Sequence, residues 1–325
     1  MKFSSFNRNL LDIKPLSRRE HDLTINIIKE VAYVDPAHIN KKYLCVAEEI
    51  QQAKKKGSSV IVMMGAHVIR SGVQKYLIDL MKNGFITCIA TNGAGIIHDF
   101  ELSMIGATTE SVRRYIKEGQ FGLWKETGIL NDIINEAYKN DPASGLGEVI
   151  GRAILTSDFP YKEISIFGAA YDLNIPITVH VGIGYDIIHG HPNCDGAATG
   201  ALSYNDFLLF ASVIQNLEGG VIMNFGSAVM APEVYLKALS MARNVSHQEN
   251  KEIRKFTTLV CDLHELPDTF KEEPSKESVF YYFRPWKTML ARTVAEGGKS
   301  YYIKARHSES IPALWSSLNK QNEDT

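Results

Sequence analysis

The chain has 325 residues, of which 45% are hydrophobic and 22% are charged. This composition is ordinary for a folded domain and excludes a chain that is disordered throughout. The 35 Lys and Arg residues oppose 37 Asp and Glu residues, giving a formal net charge of −2, so the sequence offers no basic excess for a phosphate backbone and predicts no nucleic-acid partner.

The four cysteines lie far apart and form no CxxC pair, which predicts reduced thiols in a cytoplasmic protein rather than a disulfide framework or a zinc ribbon. The first residues lack the apolar core of a secretory signal, and no apolar run of 18 residues stands out, so no membrane span is predicted. Residues 1–40 are predicted to form an N-terminal arm or a partly frayed terminus. Residues 41–325 are predicted to form one domain.

The segment from Lys42 to Lys56 has the apolar spacing of an amphipathic helix and ends in KKKG, a typical helix terminus. SSVIVMMGA, VQKYLIDLMKNG and FITCIATNGAG then read as strand, helix and strand. The pattern is repeated by EISIFGAAYDLNIPITVHVGIG, by FLLFASVIQNLEGGVIMNFGSAV, and by EVYLKALSMARN with FTTLVCDLHE. Alternation of this kind predicts an α/β protein with a doubly wound, mostly parallel sheet of the Rossmann type and helices on both faces. Residues 140–148 and 265–278 are rich in turn formers and are predicted loops.

Glycines follow four of the predicted strands. The carboxyl ends of parallel strands converge on one crevice, where glycine lets the backbone approach a ligand and a helix N-terminus offers N–H groups to phosphate. Four such ends predict one elongated ligand such as a dinucleotide, although each alone is also typical of a tight turn. The predicted cofactor-binding residues are Ala66, His67, Ser71, Gly72, Asn92, Gly93, Ala94, Gly95, Gly182, Gly184, Gly226 and Ser227.

His98, Asp99 and Glu101 follow the second glycine turn. Histidine titrates near neutrality and is suited to general acid–base work, so His98 is a candidate catalytic residue. Asp99 and Glu101 are candidates for binding a substrate amine. The alternative is a structural histidine beside an aspartate that caps a helix.

The segment DIIHGHPNCD spans Asp186 to Asp195 and is dense in polar side chains. Asp186 and His191 are assigned to catalysis, and His189 and Asp195 to substrate binding. The spacing fits no standard metal signature, so no metal is assigned. A metal site and a hydrogen-bonded turn remain the alternatives for this segment.

Lys287 follows Trp286 in RPWK. A lysine in an apolar setting can become an amine nucleophile that forms a Schiff base, so Lys287 is a candidate catalytic residue. The alternative is a lysine whose ammonium group simply reaches solvent.

The order of these motifs resembles the deoxyhypusine synthase family over about residues 60 to 315. TNGAGIIHD resembles its TTAGGxEED, GIGYDII its GSLGDxx, and PWKTM lies where the family has WGK. The resemblance implies an NAD-binding fold, a transferase-type enzyme of amine metabolism, a homotetramer, an imine-forming lysine at Lys287 and a polyamine-facing aspartate at Asp186. However, Ile97 and His98 replace the family's adjacent carboxylates and Pro232 replaces its histidine, so true deoxyhypusine synthesis is not expected.

IIHDFE also resembles the VHDIE segment of NAD-dependent ornithine cyclodeaminases of the arginine-dihydrolase type, and GAHVIRSG resembles their GPVVVHTG. Together the resemblances imply a homo-oligomeric dimer or tetramer that uses NAD to oxidise a C–N bond of a small amine or amino acid. Three alternatives remain: an ornithine cyclodeaminase-like enzyme, a non-catalytic protein that binds NAD or another nucleotide, and a metal-dependent hydrolase that uses His189, His191 and Asp195. The choice of NAD over NADP is not fixed by the sequence.

Overall fold

A computed structural model describes residues 3–320, so two residues of the predicted arm and the last five of the predicted domain lie outside it. Its strands are β1 (Leu23–Thr24), β2 (Val60–Met64), β3 (Cys88–Asn92), β4 (Ala107–Thr108), β5 (Ile177–His180), β6 (Val221–Phe225), β7 (Thr257–Asp262) and β8 (Lys299–Lys304). Its α-helices are α1 (Lys41–Lys56), α2 (His67–Arg70), α3 (Gln74–Lys82), α4 (Gly93–Ile105), α5 (Val112–Lys117), α6 (Ile129–Asn140), α7 (Leu146–Leu155), α8 (Ile166–Asp172), α9 (Gly196–Gln215), α10 (Met230–Gln248) and α11 (His307–Lys320). A π-helix covers Pro285–Ala291.

Six strands form the central sheet in the order β5-β3-β2-β6-β7-β8, and every neighbouring pair is parallel. The chain runs outward from β2 through β3 to β5, and in the other direction from β6 through β7 to β8. The direction therefore switches between β2 and β6, the position at which ligands bind in open α/β sheets. This confirms the predicted doubly wound α/β fold.

The central strands are buried on both faces. Along β2, Val60, Val62 and Met64 join one core cluster, whereas Ile61 and Met63 join the other. The first cluster includes residues of α1, α3, α4, α7, α8 and α11. The second includes α10, the carboxyl half of α9 and the π-helix. Helices thus cover both faces, which is why the strands read as continuous apolar runs.

The N-terminal segment lies along the sheet domain. Its strand β1 pairs with β4 in an antiparallel ladder. Arg8 donates a hydrogen bond of 2.5 Å from Nη1 to the carbonyl oxygen of Cys194, and the buried Arg19 reaches Glu101 on α4. These contacts bring residues from the beginning of the chain to the carboxyl edge of the sheet.

The predicted loops differ in extent from the observed ones. The loop predicted for residues 140–148 ends earlier, because α7 begins at Leu146. Residues 265–278 contain neither an α-helix nor a strand.

Helix α9 is the one described helix that is long and apolar enough to cross a membrane, judged by length and composition alone. It packs against β5 and α10, and its one charged residue, Asp206, is buried. One face of α9 is buried, whereas Tyr204, Leu208 and Leu209 on it are exposed.

Candidate functional site

A cavity of about 580 Å³ opens at the carboxyl ends of β2, β3, β5 and β6. We call it the first cavity. Its size is within the range of ligand pockets, and it lies at the switch point of the sheet. The sequence-predicted residues that line it are Ala66, His67, Asn92, Gly93, Ala94, His98, Gly182, Asp186, Gly226 and Ser227.

A second cavity, of about 290 Å³, adjoins the first. It is lined by residues that include Arg19 from the N-terminal segment, Glu101 from α4 and Glu110. The residues that line both cavities are Arg70, Ala94, His98, Tyr185 and Asp186. The two cavities therefore meet at a junction that carries one cation, one carboxyl group and one imidazole ring.

Two glycines make the first cavity possible. Gly226 has φ +67°, and a Cβ atom there would lie 2.3 Å from Nε2 of His307. At Gly93 a Cβ atom would lie 2.0 Å from Oδ2 of Asp186. A side chain at either position would displace its neighbour, so glycine at 93 allows the Asp186 carboxyl group to lie against the beginning of α4.

Asp186 is the only described acidic residue that lines the first cavity. Burial raises the pKa of its carboxyl group to about 6. The group is therefore mostly ionised at neutral pH and close to its titration range. A carboxylate of this kind can hold an ammonium group in the cavity.

His98, on α4, lies at the junction of the two cavities and also contacts the strand β4. Its Nδ1 lies 2.8 Å from Oγ1 of Thr108. Burial is the main cause that lowers the pKa of His98 to about 4; Glu101 opposes this shift, and the positive charges of Arg70 and Arg19 add to it. The ring is therefore neutral at physiological pH and available to accept a proton.

Glu101 lines the second cavity, but both of its oxygens already have partners. Arg19 donates two hydrogen bonds to them, of 2.8 and 2.7 Å, while Thr108 donates one of 2.8 Å and Thr127 one of 2.6 Å. Burial alone would raise the pKa of Glu101, but the bonds from Arg19, Thr127 and Thr108 outweigh it and lower the pKa. The Glu101 carboxylate is therefore ionised, and the Arg19 guanidinium group balances its charge.

Arg70 was not assigned a role from the sequence, although it ends α2 beside two residues that were. Its guanidinium group makes no hydrogen bond or ion pair with any residue in 3–320, and it lines both cavities. Its one sequence signal was its position in the strand-end segment AHVIRSG. An unpaired arginine at the junction provides a binding group for a carboxylate or phosphate.

Four predicted cofactor residues do not line either cavity. Ser71 donates its hydroxyl proton to the carbonyl of His67 at 2.7 Å. Gly72 has φ +73°, and a Cβ atom there would lie 1.9 Å from the carbonyl oxygen of Ile27, so it accommodates the N-terminal segment. Gly95 is buried in α4 against Thr91, and Gly184 donates its N–H to Nδ1 of His189.

Asp99 faces away from both cavities. Its carboxyl group accepts hydrogen bonds from the Ser165 hydroxyl and from the N–H of Ile166 at 3.0 Å. Burial raises the pKa of Asp99 to about 6 against these hydrogen bonds. The helix-cap alternative thus describes its contacts, with α8 as the helix that is capped, and Asp99 has no free oxygen directed at a substrate.

In the segment from Asp186 to Asp195, the polar side chains after Asp186 contact the protein's own backbone. Nδ1 of His189 accepts the N–H of Asp186 at 3.1 Å, His191 is buried with Nε2 2.8 Å from the carbonyl oxygen of Gly122, and the exposed Asp195 caps α9. Beyond Asp186, these side chains therefore fold the loop and start a helix. Within residues 3–320 no group of three His, Cys, Asp or Glu side chains is arranged to hold a metal ion.

Lys287 lies on the π-helix, and it lines neither cavity. Its Nζ lies 3.5 Å from the centroid of the Tyr281 ring. The neighbouring Trp286 is buried in the second core cluster and donates its indole N–H to the carbonyl of Glu272 at 2.8 Å. The structure therefore does not bring Lys287 together with His98 and Asp186.

Residues 44–136 match the family described as arginine dihydrolase ArgZ-like, C-terminal, Rossmann fold. No curated protein sequence matches the chain significantly. The sequence resemblance to enzymes of the arginine-dihydrolase type is confirmed for that part of the chain.

Several solved structures resemble the chain at low sequence identity. The ternary complex of AgrE with ornithine and NAD+ has 13% identity and a TM-score of 0.51, covering 91% of this chain and 35% of that one. A protein of Methanococcus maripaludis S2 assigned to LOR/SDH has 15% identity and a TM-score of 0.51, covering 90% and 73%. A protein of Entamoeba histolytica assigned as a deoxyhypusine synthase has 12% identity and a TM-score of 0.45, covering 89% and 97%. The chain spans about a third of the length of the ArgZ and AgrE chains that it matches.

Proposed function

We propose that the protein binds NAD in the first cavity and oxidises a C–N bond of a small amine or amino acid held in the second. The observation that carries this proposal is the junction, where Asp186, His98 and Arg70 line both cavities. A dinucleotide and a small substrate would meet there. The AgrE complex with ornithine and NAD+ shares the fold and supports the choice of ligands.

The first cavity fits a dinucleotide in three respects. It lies at the switch point of the sheet, and the glycines at 93 and 226 accommodate the neighbouring side chains of Asp186 and His307. Asn92, the N-cap residue of α4, makes no side-chain hydrogen bond to the first turn of that helix, and a helix N-terminus can bind an anion. Oδ1 of Asn92 is a buried acceptor with no hydrogen-bond partner among residues 3–320, which suits a hydroxyl group of a ribose.

NAD, when bound, supplies the acceptor for a hydride. The protein's own residues then have three tasks. Asp186 holds the positive substrate nitrogen, His98 takes the proton that the nitrogen loses as the C–N bond is oxidised, and Arg70 binds the carboxylate of an amino-acid substrate. Lys287 has no part in this proposal because it lines neither cavity. The dimer or tetramer, the transferase-type chemistry and the cytoplasmic location remain predictions.

Binding and turnover are tested separately. Ligand-free protein is titrated with NAD and with NADP in a thermal unfolding assay, where a ligand at 100 times its Kd stabilises the fold by about 2.7 kcal/mol. Gly93→Ala should abolish the shift, whereas Gly200→Ala, on an exposed face of α9 with nothing within 4 Å, should not. No shift with either dinucleotide would refute the cofactor assignment. A shift without NADH formation from any amine would favour the non-catalytic alternative.

The role of Arg70 is tested with a matched pair of amines. Ornithine and putrescine share two amino groups, but only ornithine has a carboxylate. The wild type should form NADH faster with ornithine, and Arg70→Met should lose that preference by about 10- to 100-fold, the effect of one charge-assisted hydrogen bond of about 1.5–3 kcal/mol. Arg113→Met, at an exposed site on α5, is the control. An unchanged preference in Arg70→Met would remove Arg70 from substrate binding.

A further inference from the structure

A continuous series of hydrogen bonds joins the N-terminal segment to His98. Arg19 binds both oxygens of Glu101, Thr108 lies 2.8 Å from Oε2 of Glu101, and Nδ1 of His98 lies 2.8 Å from the Thr108 hydroxyl oxygen. Arg19, Glu101 and Thr108 are all buried. Because these three residues are buried, they bond to one another and not to water.

The direction of each bond follows from the number of protons. Glu101 is ionised by its pairing with Arg19, so its oxygens only accept hydrogen bonds. The hydroxyl group of Thr108 has one proton, which it donates to Glu101. Its oxygen must then accept from His98, which places a proton on Nδ1. A neutral imidazole has only one N–H, so Nε2 has a free lone pair.

We infer that Thr108 is a positioning residue, which holds neutral His98 in the tautomer whose Nε2 is the proton acceptor of the site. The choice of Nε2 as the base rests on the proposed function, but the tautomer does not. In the reaction, the substrate N–H bond breaks and an Nε2–H bond forms. Nδ1–H keeps its bond to Thr108 throughout, so the ring receives the proton without turning or exchanging tautomers.

The charged groups around His98 come from four parts of the chain. Glu101 is on the same helix, Arg70 and His67 are on α2, and Arg19 is on the N-terminal segment. Asp186, from the loop after β5, lines the same two cavities. Glu101 favours a proton on His98, whereas Arg70, Arg19 and His67 disfavour one. Glu101 acts through Thr108, so the same series of bonds also stabilises the imidazolium ion once it forms.

The test is the nitrogen NMR spectrum of histidine side chains in protein labelled with ¹⁵N-histidine, with His98 identified by its loss in His98→Gln. The wild type should show a protonated Nδ1 and an unprotonated Nε2 at neutral pH. Thr108→Val should move the proton to Nε2, and Thr108→Ser should restore the wild-type pattern. Thr108→Ala provides the same deletion if the valine variant does not fold.

Thr127→Val is the matched control. Thr127 also donates a hydroxyl proton to Glu101, at 2.6 Å, and is equally buried, but it does not contact His98. Thr127→Val should therefore leave the His98 tautomer unchanged. A protonated Nε2 in the wild type, an unchanged spectrum in Thr108→Val, or an equal change in Thr127→Val would each overturn the inference.

Turnover gives the second measurement. Thr108→Val should lower kcat by between about tenfold and the roughly 10⁴-fold that a wrong histidine tautomer costs a serine protease, with Thr108→Ser close to the wild type. Equal kcat in wild type and Thr108→Val would overturn the positioning role. If no amine is oxidised by any variant, the proposed function fails, and the nitrogen spectra still decide the tautomer.

Discussion

Glu101 and Asp206 are both buried carboxyl groups, with exposed fractions of 1% and 0%, yet their pKa values shift in opposite directions. Glu101 is paired with Arg19, and its pKa is lowered. Asp206 accepts backbone N–H groups from Gly147 at 2.9 Å and Val179 at 2.7 Å. Burial nevertheless raises the pKa of Asp206 to about 8.

The difference shows that two amide dipoles do not replace a counterion. Oδ1 of Asp206 has no hydrogen-bond partner within the described part of the chain, which fits a carboxyl group that is protonated at neutral pH. In contrast, both oxygens of Glu101 accept hydrogen bonds. The region beside the cavities thus maintains a buried charge, whereas the region between α7, α9 and β5 excludes one.

Removing the counterion should make Glu101 resemble Asp206 and is the largest expected effect. Arg19→Met leaves a buried, unpaired carboxylate and should lower the free energy of unfolding by about 3–5 kcal/mol. The measurement is urea denaturation at pH 7. Arg18→Met, one residue away and exposed, should change stability by less than about 0.5 kcal/mol.

A double variant sharpens this prediction. Arg19→Met with Glu101→Gln removes both charges while the amide oxygen still accepts from the two threonines, so most of the lost stability should return. If Arg19→Met alone is as stable as the wild type, the ion pair does not hold the N-terminal segment to α4.

Asp206→Asn should change how stability depends on pH. The folded pKa of about 8 lies above the ordinary aspartate pKa of 3.8, so the folded protein retains a proton that the unfolded chain loses. The stability due to this group is fully present below about pH 4 and is lost as the pH rises through about 8, with a slope of at most about 1.4 kcal/mol per pH unit.

The measurement compares the free energy of unfolding of wild type and Asp206→Asn between pH 5 and 9. Asparagine cannot titrate, so the wild type should lose stability relative to the variant up to about pH 8, after which the difference should be constant. A difference independent of pH would mean that Asp206 is ionised in the folded protein. Glu101 contributes in the opposite sense, because its lowered pKa supplies stability that is lost only at acidic pH.

The fold and the first cavity could be predicted because both depend on local patterns. Buried parallel strands produce continuous apolar runs, and glycine follows a strand where the backbone approaches a ligand. His98 and Glu101 lie on the same face of α4, because residues three apart share a helix face. Asp99, one residue from His98, points elsewhere for the same reason.

Other parts of the site depend on contacts that no local pattern shows. Arg19 lies 82 residues before Glu101, and charge alone does not distinguish it from Arg18. Lys287 follows a tryptophan, but the sequence does not show that this helix packs on the second core cluster. Arg70 was missed because glycine and serine beside it were given the ligand-binding role, whereas Gly72 accommodates Ile27.

Substitution of Asp195 should have the smallest effect on stability, and Asp195 can be compared with Asp206 on the same helix. It lies exposed at the beginning of α9, eleven residues before Asp206, and accepts the N–H groups of Ala197 at 2.8 Å and Ala198 at 3.2 Å. Because water solvates this carboxylate, capping is its main contribution to stability. Asp195→Ala should therefore cost about 1 kcal/mol in urea denaturation, and Asp195→Asn, which also caps well, much less.

The same pair of variants tests the substrate-binding role predicted for Asp195. A residue that only caps α9 should leave the KM for an amine unchanged in both variants. A residue that binds an ammonium group requires the negative charge, so Asp195→Asn would raise KM without a matching loss of stability. That result would extend the site beyond the two cavities and show that an exposed carboxylate of α9, unlike the buried Asp206, takes part in substrate binding.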